Sequence, residues 1–172
     1  MDDGVLGARA APRVGERSPI LLVAAFAIAA GVIHAVALVQ HFGEGFLYGV
    51  FFAVVAACQL AWGAWVFVRP VKRWHLAAGA SVNIAIAGIW ALSRTTGVPL
   101  VPQVGRPEAV GVIDVLATFD ELAVGLFVIA ILQPAGRVGR RLAGLSAEHE
   151  TRLAAALVSA TLFAITLGGH AH

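Results

Sequence analysis

Long apolar stretches divided by short polar connections dominate this chain. A helix needs about 20 apolar residues to cross the hydrocarbon core of a bilayer. Four stretches reach that length, at about 20–40 (Ile20 to Gln40), 46–68 (Phe46 to Val68), 74–92 (Trp74 to Leu92) and 109–132 (Ala109 to Leu132). A fifth, at about 148–168, is apolar only from Leu153 to Leu167. Ser146 suits an N-cap there, and Glu148 and Glu150 suit a first helical turn lying in the interface. A helix lying flat on the membrane is the competing reading of that segment.

The connections fit this division. "RPVKR" (69–73) is a tight basic turn, "SRTTGVPLVPQVGRPE" (93–108) is a loop rich in proline and glycine, and "QPAGRVGRRLAGLS" (133–146) is a second, basic loop. Residues 1–18 read as a disordered cytoplasmic tail, 19–169 as one transmembrane domain, and 170–172 as a His-containing C-terminal tail. The tail and first span also resemble a signal peptide, with "AVA" (35–37) as a cleavage site. The length of the apolar run favours an uncleaved anchor. The expected fold is therefore all-α, a polytopic helical membrane bundle of about five transmembrane helices.

Charge sets its direction. Arg9, Arg13 and Arg17 lie in the N-terminal tail, Arg69, Lys72 and Arg73 in the first turn, and Arg137, Arg140, Arg141 and Arg152 after the fourth span. The remaining connections hold only Arg94 and Arg106. The positive-inside rule places the N-terminus in the cytoplasm and, with five crossings, the C-terminus outside. Trp62, Trp65 and Trp74 then fall near the inner interface, and Phe42, Phe46 and Trp90 near the outer one.

Composition agrees with a membrane protein: 59% of the 172 residues are hydrophobic and 13% charged, with a mean hydropathy of +0.86. No basic tract with interleaved aromatics supports nucleic-acid binding. The single cysteine, Cys58, allows no internal disulfide or thiolate cluster and reads as a small buried hydrophobe.

Candidate chemistry comes from polar residues inside the apolar stretches. In "GVIHAVALVQHFGEG" (31–45), His34 and His41 are two helical turns apart and share a face, with His34 about 10 Å deeper. Glu44 follows His41 by three, close enough to share an ion if the helix continues through Gly43 and Gly45. "GVIDVLATFDELAVG" (111–125) repeats the spacing with Asp114 and Glu121. Because the first and fourth spans run in opposite directions, Asp114 matches the depth of His41, and Glu121 that of His34. Asp120 points about 100° away from Glu121. The C-terminal "GGHAH" adds His170 and His172 on the same side.

A charged carboxylate near the bilayer centre costs about 3 kcal/mol, so protonation, pairing or coordination is expected. Imidazole with carboxylate suits a transition metal: Cu, Zn, Fe or Mn. The expected metal ligands are His34, His41, Asp114 and Glu121, with Glu44, His170 and His172 as further candidates. Two histidines two turns apart are distant for one ion, which predicts either two sites at different depths or one site using a single histidine. No HExxH, GxSxG, P-loop or dinucleotide fingerprint occurs.

Each residue also has a structural explanation. Asp114 and Glu121 can bond His34, Asn83 or Arg94 as helix–helix glue, as can the mid-span amides Gln59 and Asn83. Glu44 can be a solvated loop residue, His170 and His172 a tail, and His75 an interface residue.

The runs "GVIHAVALVQHF", "WALSRTTGVPL" and "GVIDVLATFDE" resemble those of a family of small multi-pass integral membrane proteins from actinobacteria, over residues 20–132. The resemblance implies a bacterial inner-membrane protein and carries no activity with it. Three classes of function remain. The first is transition-metal handling near the outer leaflet, for transport, delivery or redox, with an enzyme that activates oxygen or water as a subset. The second is a non-catalytic subunit packed against other membrane-protein subunits. The third is proton-coupled transport through His34 and Glu121, for which five spans would require a homo-oligomer.

Overall fold

A computed structural model describes residues 14–43, 45–97, 107, 109–133, 152 and 155–156. The described residues form four α-helices and no strand: α1 (Val14–His41), α2 (Phe46–Val68), α3 (Arg73–Thr95) and α4 (Val112–Leu132). All four are long and apolar enough to cross a membrane. The fifth candidate segment, at 148–168, lies outside the described residues apart from Arg152, Ala155 and Ala156, which are helical; most of the two longer loops, residues 1–13 and the C-terminal tail lie outside them too, while residues 14–18 of the expected N-terminal tail belong to α1.

Helix α2 has the bounds that the apolar stretch defines. The others differ at their ends for local reasons. Helix α1 begins at Val14 and carries Pro19 near its start, where the ring removes only one early backbone bond. Helix α3 continues through Ser93, Arg94 and Thr95, residues that the sequence assigns to a loop. Here the hydroxyls bond back to the helix, Ser93 to the Trp90 carbonyl at 2.8 Å and Thr95 to that of Ala91 at 2.9 Å. Gly97, in the left-handed region at φ 74°, follows the C-cap and stops it. Helix α4 starts three residues later than expected, at Val112, where Asp114 accepts a bond from the Gly111 backbone N–H at 3.1 Å.

Helix α1 is the centre of the arrangement. It packs against α2 and α4, and α4 packs against α3. In its most apolar stretch 61% of residues are buried, against 28% for α2. Large apolar side chains remain exposed on the outer faces, among them Val54, Phe67, Phe119 and Leu126. Such surfaces suit hydrocarbon better than water.

The bundle has two ends. At one, the short 69–72 turn joins α2 to α3. Val23, Ala24, Phe26 and Ala27 of α1 pack there with Val66, Leu76, Ala80, Ala123, Val124 and Val128. Trp62 of α2 packs against Gly79 of α3, where an added Cβ would fall 2.1 Å from the ring. Its Nε1 donates to the His75 carbonyl at 3.3 Å. Arg73 donates to the Leu132 carbonyl, capping the C-terminus of α4. Trp65 and Trp74 are exposed at this end, as interfacial aromatics would be. The opposite end holds the last turn of α1, the first turns of α2 and α4, and the last turn of α3.

One expectation about packing changes. Cys58 is exposed rather than buried. Its neighbour Gln59 takes the inward face of α2, and consecutive helical residues point about 100° apart.

Candidate functional site

Each helix sends one polar side chain to a common point in the interior: His34 from α1, Gln59 from α2, Asn83 from α3 and Glu121 from α4. All four are at most 5% exposed. Gln59 is the hub. Its Oε1 lies 3.0 Å from His34 Nδ1, and its Nε2 donates to Asn83 Oδ1 at 3.1 Å and to Glu121 Oε1 at 3.3 Å. Asn83 donates in turn to the Gly79 carbonyl at 2.9 Å. His34 Nε2 stands 3.5 Å from Glu121 Oε1.

The bonding pattern defines where protons must sit. His34 Nδ1 faces two acceptors, Gln59 Oε1 and the Ala30 carbonyl at 2.9 Å, so Nδ1 carries hydrogen. Nε2 is then the atom left to face Glu121. That contact is attractive only with a proton on one side of it: a neutral imidazole beside a carboxylic acid, or an imidazolium beside a carboxylate.

Magnitudes separate a stabilising role from a chemical one. Three interhelical hydrogen bonds at about 0.6 kcal/mol each contribute roughly 2 kcal/mol inside a bilayer. An ionised carboxylate at that depth costs about 3 kcal/mol. Stability alone therefore gives no reason for Glu121, whose place an apolar residue could take. Its neighbour Asp120 is also buried, and among the described residues its Oδ2 has no hydrogen-bond partner.

A second polar group lies nearer the open end. Asp114 pairs with Arg94 at 2.6 Å, and Arg94 also donates to Ser93 Oγ at 3.3 Å and lies 5.8 Å from the Trp90 ring. The His41 ring stacks on Phe52 at 4.6 Å and 11°, and the His34 ring lies 5.7 Å from the same phenyl. Phe52 is thus in ring contact with both histidines.

A cavity of about 260 Å³ links these groups. Its walls include Leu47, Tyr48, Phe51 and Phe52 of α2, Ile86, Ile89, Trp90 and Arg94 of α3, and Ile33, Ala37, Ala117 and Thr118 of α1 and α4. His34, His41, Asp114 and Glu121 all line it. The four described candidate ligands therefore border one space, and His34 and Glu121 meet within it. Asp114 is taken by Arg94 and by the start of α4. Among the described residues no three His, Cys, Asp or Glu side chains converge as a metal ion would require. Glu44, His170 and His172 lie outside the described residues.

Gln59 and Asn83 were legible in the sequence as possible glue, because a polar residue within an apolar stretch marks an inward face, and Arg94 was legible as a possible partner for the carboxylates of the fourth span. Phe52 and Trp90 were not legible as cavity walls. An aromatic in a membrane span carries no sign of whether it faces lipid or protein, and Trp90 reads equally well as an interface residue. No family model matches the chain, and no characterised protein or solved structure is significantly similar to it.

Proposed function

We propose that this is a multi-pass protein of a bacterial inner membrane that exchanges protons at the His34–Glu121 pair while handling a small molecule in the adjoining cavity. The observation that carries the reading is the pair itself: two proton-exchanging side chains from different helices, 3.5 Å apart, on the wall of a cavity. Ionisable residues inside membrane spans are rare and mark ligand or proton pathways. Gln59 supports the same role, since it holds the imidazole tautomer and the carboxyl group at once.

In this reading the N-terminus is cytoplasmic, the segment at 148–168 crosses as a fifth helix, and the cavity opens in the outer half. The basic residues Arg69, Lys72 and Arg73 at the far end support that orientation. Infrared difference spectra of the protein in lipid, recorded across a pH titration, test the proton reading. A carboxylic-acid band should appear and vanish with pH, persist in Asp120→Asn, and be absent from Glu121→Gln. A titration identical in wild type and Glu121→Gln would sink it.

A second reading, transition-metal binding, is favoured by one observation: His34, His41, Asp114 and Glu121 border the same space. Arg94 opposes it, because a guanidinium bound to Asp114 repels a cation entering beside it. Cu, Zn, Fe or Mn content of the intact protein, of His34→Ala, of His41→Ala and of a chain truncated before His170 decides the matter. Metal above a blank that falls in either histidine variant would favour this reading. Loss in the truncation alone would move the ion to the tail.

A further inference from the structure

The turn between α2 and α3 gathers positive charge that no described group answers. Arg69 closes α2, Lys72 opens α3, and both are exposed. Val71, between them, packs on the core, so the turn is anchored while its two cations stay at the surface. Three residues of extended chain span at most about 11 Å, so both long side chains can reach one anion. Arg73 is engaged elsewhere, because its guanidinium caps the Leu132 carbonyl. Among the described residues no carboxylate meets Arg69 or Lys72. The whole stretch from Gly45 to Pro107 contains no Asp or Glu.

His75 adds a third donor, held in place. Its Nδ1 accepts from the Lys72 backbone N–H at 3.2 Å, so in the neutral ring the hydrogen sits on Nε2. The ring stacks on Trp74 at 3.6 Å and 24°, and lies 6.4 Å from Trp65. Among the described residues no acceptor meets Nε2. A fixed N–H beside two exposed cations suits a phosphate oxygen. Apolar surface adjoins these donors: Trp65, Phe67 and Val68 of α2 and Trp74 of α3 are all exposed. A free anion leaves that surface bare, whereas a lipid covers it with its acyl chains.

We propose that the α2–α3 turn binds the phosphodiester of an anionic phospholipid. Arg69 and Lys72 neutralise the phosphate, His75 Nε2 donates to it, and the acyl chains lie along Trp65 and Trp74. The site goes beyond the proton reading and shares no residue with it; it rests only on the helices crossing a bilayer. A zwitterionic lipid is the weaker occupant, because its own cationic group meets Arg69 and Lys72.

The test uses the full-length protein in phosphatidylcholine vesicles doped with lipid brominated on its acyl chains, which quenches nearby tryptophan fluorescence. Brominated phosphatidylglycerol is compared with brominated phosphatidylcholine at the same mole fraction. The expected result is a preference of about tenfold for phosphatidylglycerol. Arg69→Gln combined with Lys72→Gln should reduce it to about twofold or less. His75→Phe keeps a ring against Trp74 and should lower it about threefold, the loss of one hydrogen bond. Arg137→Gln combined with Arg140→Gln removes the same charge elsewhere and should leave the preference intact. Equal quenching by the two lipids in the wild type overturns the proposal, whether or not any variant folds. A preference that survives the turn variants overturns it, as does an equal loss in the Arg137 and Arg140 pair, since diffuse charge then explains the effect. Displacement by inorganic phosphate at constant ionic strength overturns the lipid as occupant. The Glu121 infrared band involves no residue of this turn, so failure of the proton reading and failure of this one are separate results.

Discussion

The two ends of the bundle are built from the same four helices on opposite plans. At the turn end, small residues let helices close on one another: Ala24, Ala27 and Ala80 lie in the core, and Gly79 leaves room for the Trp62 ring. At the other end, α2 and α3 present Phe51, Phe52, Ile89 and Trp90 to an unfilled space. The Gln59–Asn83 bond marks the boundary. Side-chain size and polarity together thus divide a closed, load-carrying half from an open, chemically equipped one.

If this division holds, substitutions in the two halves have separable effects. The largest is expected from Gly79→Leu. It drives a side chain into the Trp62 ring and should destabilise the protein by about 3 kcal/mol, the upper range for overpacking. Reversible unfolding in mixed micelles would measure this. Whatever protein remains folded should keep the wild-type Glu121 infrared titration, and a shifted titration would show that the halves are coupled.

Gln59→Leu comes next, at roughly 2 kcal/mol, because it strips partners from His34, Asn83 and Glu121 together. Unlike Gly79→Leu, it should alter the pH dependence of the Glu121 band. A pure stability loss with an unchanged titration would make the cluster structural and support the subunit reading.

Arg94→Gln should cost least, about 0.5–1 kcal/mol, since the Arg94–Asp114 pair is partly exposed. Its larger consequence is electrostatic. If Arg94 keeps cations away from the cavity, this variant should bind added zinc more tightly than wild type in equilibrium dialysis. Unchanged zinc binding would remove Arg94 from the argument against a metal.

What the sequence could show follows from the solvent. In water, the contrast between polar and apolar faces reveals how each helix is rotated. In a bilayer both faces are apolar, and only the rare polar residue reports rotation. The bounds of α2 were therefore legible from its apolar length, and the shared depth of His34 and Glu121 from two antiparallel spans. Cys58 was misplaced because nothing about a lone thiol distinguishes lipid from core. The continuation of α3 through Ser93 and Arg94 was hidden too, since a polar run after an apolar stretch looks like its end. The Arg94–Asp114 pair needs that extra turn of helix, so a capped loop boundary obscured its geometry even though Arg94 had been weighed as a partner.

The short turn between α2 and α3 has a consequence for how the chain is made. Those two spans leave the ribosome as a hairpin, and the Gln59 and Asn83 amides face each other within it. They can enter the bilayer already bonded, shielding one another before any further helix exists. His34 enters earlier on α1, and its imidazole can meet Gln59 once the hairpin docks. Glu121 arrives last, at a place where an amide donor and an imidazole already wait. Glu121 thus stands last in chain order among the four polar side chains that meet in the interior, after all three of its neighbours have been made.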